Sequence, residues 1–175
     1  MGLLPLVLIV TSLALPGIWL WSGIYALLAL VAPLVYLIWQ VLHGNVTDLD
    51  IHLREQRKGA LIVTIAGFGA AWVALVLGHA HPFLTILAST GLLQWLAIFI
   101  ITLRWKISVH AASATGVTLI LIRMFGSPTV PLLVSIPLVA WSRIKLRHHT
   151  PAQTFAGICL GLTIFALGIV LTPTL

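Results

Sequence analysis

Residues 83–103 read FLTILASTGLLQWLAIFIITL, twenty-one positions without one charged side chain, and the next three are Arg104, Trp105 and Lys106. As a helix such a segment is about 31 Å long, close to the thickness of a bilayer's hydrocarbon core. An apolar run that stops abruptly at cations and a tryptophan has the pattern of a spanning helix meeting its interface.

The same pattern repeats outward in both directions. Polar punctuation divides the chain into segments near 3–15, 18–42, 60–78, 83–103, 108–125, 129–145 and 152–172. The chain is 61% hydrophobic and 7% charged, with a mean hydropathy of +1.17. Soluble domains are roughly half apolar and a quarter charged, so this composition excludes one. The expected fold is all-α: a polytopic transmembrane bundle of six or seven helices forming a single integral membrane domain over residues 1–175. The count depends on the first segment, which is short for a span. Pro16-Gly17 can instead kink one longer helix. The opening MGLLPLVLIVTSLALPG lacks a basic leader, so it is expected to stay as a first span.

Nine Lys/Arg stand against three acids, Asp48, Asp50 and Glu55, a net charge of +6. On a soluble domain that balance would raise nucleic-acid binding. Between membrane spans it points to lipid headgroups or an anionic substrate, with no nucleic-acid partner expected. The single cysteine, Cys159, excludes an internal disulfide or a thiolate cluster. So few acids argue against a carboxylate cage, and no metal or other cofactor is expected. If every segment from residue 60 crosses, Arg54, Arg57, Lys58, Arg104, Lys106, Arg143, Lys145 and Arg147 share one face and Arg123 alone lies opposite. The positive-inside rule makes the basic face cytoplasmic, in the cell membrane, with Trp105 and Trp141 in its interfacial belt. Basic flanks of this kind often serve only as anchors.

Three polar clusters give that face a chemistry. In RWKISVHAAS (104–113), Ser108 is a candidate N-cap, which places Val109 and His110 in the first turn of a helix. Such a turn presents unpaired N–H groups and the positive end of the helix dipole, and Lys106 adds a cation. In HHTPAQ (148–153), Thr150, Pro151 and Gln153 form a capping box with proline at its favoured position. His149 then stands immediately before a second helix start, with Arg143 six residues earlier. The third cluster, DLDIHLREQRKG (48–59), brings Arg54, Arg57 and Lys58 to the helix expected from about residue 60. It reads equally as an interfacial amphipathic segment or a binding loop. Together the clusters supply what phosphoryl transfer requires: fixed cations, an in-line nucleophile and an acid for the leaving oxygen.

Two of the clusters resemble the type 2 phosphatidic acid phosphatase superfamily, whose motifs run KxxxxxxRP, PSGH and SRxxxxxHxxxD. Ser142-Arg143, five residues and His149 match the third motif at full spacing, and Ile107-Ser108-Val109-His110 stands where the second falls. The likeness covers roughly residues 44–165. It implies a lipid phosphate or diphosphate substrate, of isoprenoid or phosphatidyl type, and a phosphohistidine intermediate. It further implies His149 as nucleophile, His110 as acid and then base, and Arg143 with the amides at Ser108 and Val109 around the phosphoryl oxygens. Arg57 corresponds to the first motif's arginine, with Arg54, Lys58 or Lys106 as further cations.

The chain departs from the pattern in several places. Asp50 stands where the first motif has lysine, and Lys58 where it has proline. Ile107 and Val109 replace the proline and glycine of the second motif, and Gln153 replaces the aspartate that would orient His149. An amide accepts a hydrogen bond from imidazole but cannot balance its charge. These substitutions keep open an alternative, a lipid-phosphate-binding or transport protein of the same fold. Elsewhere, His79 and His81 read as a polar loop. Gly67, Gly69 and the small residues of 111–116 read as close-packing positions, and Gln40, Gln94 and Arg123 as bundle-facing polar groups.

Overall fold

The computed structural model describes residues 18–44 and 54–171, with backbone alone for 54–57. Among the described residues the structure is helical almost throughout and contains no strand. The helices are α1 (Trp19–Leu42), α2 (Arg54–Leu77), α3 (Pro82–Thr102) and α4 (Val109–Phe125). A 3-10 segment (Ser127–Val134) follows, then α5 (Ser135–Lys145) and α6 (Pro151–Leu171). Four stretches are long and apolar enough to cross a membrane: α1, Lys58–Leu77 of α2, α3 and α6. This is the architecture of a helical membrane protein. The expected segment 3–15, the Pro16-Gly17 kink, Asp48 and Asp50 lie outside the described residues.

Two boundaries differ from expectation. Helix α2 begins at Arg54 rather than near residue 60, because Arg, Glu, Gln and Lys are good helix formers and carry the helix back through the charged run. The apolar segment 129–145 is not one helix: Pro128 and Pro131 withhold two amide donors, and the chain takes the tighter 3-10 path before α5 begins. Helix α5 is only 11 residues long.

The described residues fall into two compact units, 18–105 and 106–171. In the first, α1, α2 and α3 meet at an aromatic core. Tyr25 packs edge-on against Phe68 at 5.8 Å, and Phe68 lies 5.9 Å from Trp95. Helix α1 is interrupted by a π turn, Leu27–Val31, just before Pro33, which has no N–H to give the preceding turn. The Leu28 carbonyl turns toward Gly67 so closely that an added Cβ would collide with it. Gly67 is therefore a packing position, as expected, whereas Gly69 faces open space.

The second unit carries the polar residues of 106–110 and 142–153 around the ends of three helices. Its centre is α4, where Ala111, Ala112, Ala114, Thr115, Gly116, Val117 and Thr118 are all buried. Helix α6 lies along α4 with almost nothing between the backbones. A Cβ on Gly157 would stand 2.5 Å from the Ser108 carbonyl oxygen, one on Gly161 would collide with the Ala112 carbonyl, and one on Gly116 with the Phe165 ring. These contacts advance together along both helices, so α4 and α6 run parallel with their N-termini side by side. The chain reverses at Gly126, whose φ of +69° favours glycine. It then returns through the 3-10 segment and α5. Thr118 and Ser135 hydroxyls pair at 3.2 Å on the way.

Small residues are how membrane helices come this close. Gly157→Ala is expected to lower stability by about 1–3 kcal/mol through forced separation of α4 and α6. Gly69→Ala, where an added Cβ meets nothing within 4 Å, should be neutral or slightly stabilising. Thermal unfolding of both variants in one detergent compares them directly.

Candidate functional site

Helix α4 starts as its sequence suggests. Ser108 has an extended backbone, with φ −83° and ψ 99°, and its hydroxyl accepts from the Ala111 N–H at 3.3 Å. Ser108 and Ile107 are buried. Val109 and His110 follow in the first turn, both half-buried, where no carbonyl of the helix can accept from their N–H groups.

Helix α6 starts with a complete capping box. The Gln153 N–H donates to Thr150 Oγ1 at 3.2 Å, and the Thr150 N–H donates to Gln153 Oε1 at 3.2 Å. The two helix starts then join directly, for the Ser108 N–H donates to the Gln153 carbonyl at 3.2 Å. His110 and His149 are thus carried on adjoining helix starts at one end of the unit.

The capping box also settles the state of the histidine. An amide N–H such as that of Thr150 can only donate, so the Gln153 atom facing it is the oxygen. The same Oε1 lies 3.2 Å from His149 Nδ1. Since oxygen there only accepts, Nδ1 carries the hydrogen. In the neutral ring, Nε2 is then left with its lone pair. His149 is buried, 7% exposed. Gln153 therefore both caps the helix and accepts from the ring.

The loop ahead of α6 is tied from two sides. The His148 and His149 N–H groups both donate to the Arg143 carbonyl, at 3.1 and 3.3 Å. Lys106 Nζ donates to the His148 carbonyl at 2.8 Å. Arg147 takes a left-handed conformation, φ +56°, to make the turn. Arg143 and Lys145 stand in the last turn of α5, where cations offset the negative end of a helix.

Of the residues singled out by sequence, Lys106, Ser108, Val109, His110, Arg143, His149 and Gln153 lie on this assembly. Arg54, Arg57 and Lys58 open α2, in the other unit, where Lys58 is exposed. At the α2–α3 turn, His81 proves to be an N-cap, its Nδ1 accepting from the Phe83 N–H at 3.3 Å. Sequence reading missed Gly157 and Gly161, although their spacing of four is the usual sign of a helix–helix contact. It also missed the Lys106–His148 bond, which joins residues 42 apart in sequence and has no local signature.

No family model matches the chain, and no curated protein or solved structure matches it either.

The tautomer assignment is open to direct measurement. Nitrogen-15 NMR of labelled histidine should find His149 with its proton on Nδ1. Gln153→Leu should release the ring to a mixture of tautomers. It should also cost about 1 kcal/mol of helix capping, visible as a lower unfolding midpoint.

Proposed function

We propose that the chain is a metal-independent membrane phosphatase that hydrolyses a lipid phosphate or diphosphate, of isoprenoid or phosphatidyl type, through a phosphohistidine on His149. The observation that carries this reading is the joining of two helix starts. The Ser108 N–H bond to the Gln153 carbonyl brings the helix start that carries His149, protonated on Nδ1, beside the first turn that carries His110. Such a turn favours a phosphate, and the order Ser-Arg, five residues, His carries the resemblance to the phosphatase superfamily.

The chemistry follows from the residues. His149 Nε2 supplies an electron pair to phosphorus and forms the P–N bond as the P–O bond to the lipid breaks. The leaving oxygen takes a proton from His110 and departs as an alcohol or, from a diphosphate, as the lipid monophosphate. His110, now neutral, accepts a proton from water as that water attacks phosphorus. The P–N bond breaks and inorganic phosphate leaves, restoring both histidines. Arg143 and the amides of Val109 and His110 would stabilise charge on the nonbridging oxygens. The Ser108 amide, expected among them, donates to the Gln153 carbonyl instead. The excess of cations on one face supports a cytoplasmic site at headgroup depth.

The amide at Gln153 favours one second reading, a lipid-phosphate binder without turnover. It stabilises a phosphorylated, positively charged imidazole less than a carboxylate would.

Purified protein in detergent, with no metal added, should release phosphate from at least one of phosphatidate, an isoprenyl phosphate and an isoprenyl diphosphate. His149→Ala should reduce the rate about a thousandfold or more, and His110→Ala by roughly 10²–10⁴. Equal rates in wild type and His149→Ala would remove the nucleophile. Saturable lipid-phosphate binding with no acid-labile phosphohistidine on rapid quench would establish the binder.

A further inference from the structure

From its charge, Lys106 reads as a cation for the phosphate. Its observed partner is different: Nζ donates to the main-chain carbonyl of His148 at 2.8 Å. That carbonyl belongs to the same peptide group as the His149 N–H, which donates in turn to the Arg143 carbonyl at 3.3 Å. A peptide group is planar and rigid. Holding its oxygen from α4's approach and its N–H from the end of α5 fixes the direction in which the His149 side chain leaves the backbone. Gln153 Oε1 fixes the remaining freedom, rotation of the ring.

The rest of the loop explains why such a hold is needed. Arg147, immediately before His148, is a non-glycine residue at φ +56°, a conformation that L residues leave readily when nothing constrains them. The two N–H bonds to the Arg143 carbonyl tie the loop only to its own helix, α5. The Lys106 bond ties it to the segment leading into α4, the helix that carries His110. It links the peptide that carries His149 to the approach of the other histidine's helix.

We propose that Lys106 is a positioning residue, holding the His148–His149 peptide so that His149 Nε2 is aligned for attack. This rests on the phosphatase reading. Lys106 then acts on the rate of phosphoryl transfer to His149 rather than on the affinity for phosphate.

The test compares Lys106→Met, Lys106→Gln and Lys106→Arg with wild type, using the best substrate of the panel above and inorganic phosphate as the binding probe. Met keeps the stem and loses the donor, Gln keeps a neutral donor, and Arg keeps donor and charge. Lys106→Met should slow single-turnover phosphorylation of His149 roughly ten- to hundredfold, the scale of a small misalignment. Inorganic phosphate should inhibit it as strongly as wild type. Gln and Arg should both recover most of the rate. Hydrogen exchange at the His149 amide should accelerate in Met and stay slow in Gln and Arg. Loss of phosphate affinity in Met and Gln alike would make Lys106 a phosphate contact and overturn the proposal. An unchanged phosphorylation rate in Met would also overturn it. A wild-type protein that never phosphorylates His149 sinks the phosphatase reading instead, and amide exchange then still decides whether Lys106 holds the loop. Gln is the decisive variant if Met does not fold.

Discussion

The second unit depends on the contact of α4 with α6, made at Gly157 and Gly161 without intervening side chains. In lipid there is no hydrophobic drive to bring helices together, because the solvent is as apolar as the side chains. What remains is close packing, and glycine lets one backbone approach the carbonyls of another. The gain is positional: two helices locked in register begin at one level. Parallel neighbours cannot be joined by a short turn, so the chain has to travel back between them. The 3-10 segment and α5 make that return, and α5 ends where both other helices begin. The left-handed Arg147 and the doubly used Arg143 carbonyl follow from making the last corner in five residues.

At that corner one amide oxygen serves two donors. Gln153 Oε1 accepts from the Thr150 backbone and from His149, so helix capping and ring orientation cannot be separated. A backbone N–H has only one possible role, and this makes the arrangement unambiguous: it forces the amide's orientation, and the amide forces the tautomer. The tautomer of the histidine is thereby set by the capping box that starts α6.

Much of this was legible from sequence. The apolar runs mark the helices, and Ser108 and Thr150-Pro151-x-Gln153 mark two starts correctly because capping is local. The same locality explains the failures. The α2 boundary depends on whether a charged run keeps helical hydrogen bonds at a membrane edge, which propensity and hydropathy answer differently. Two prolines within an apolar stretch shortened α5, where hydropathy registered only apolar character. The Lys106 bond depends on the docking of α4 against α6, and that docking depends on glycines whose meaning appears only once a partner carbonyl is placed opposite. Residue chemistry was visible, but its assembly depended on contacts between segments far apart in the chain.

The parallel pairing of α4 with α6 has an electrostatic consequence. Antiparallel neighbours offset each other's dipoles, whereas these two set like ends together, and Lys106 adds to the same sign. An anion bound between two such ends would be stabilised by both. Ligand occupancy and fold stability are then linked by mass action, the folded state gaining RT ln(1 + [L]/Kd) from any anion that binds there and not to the unfolded chain.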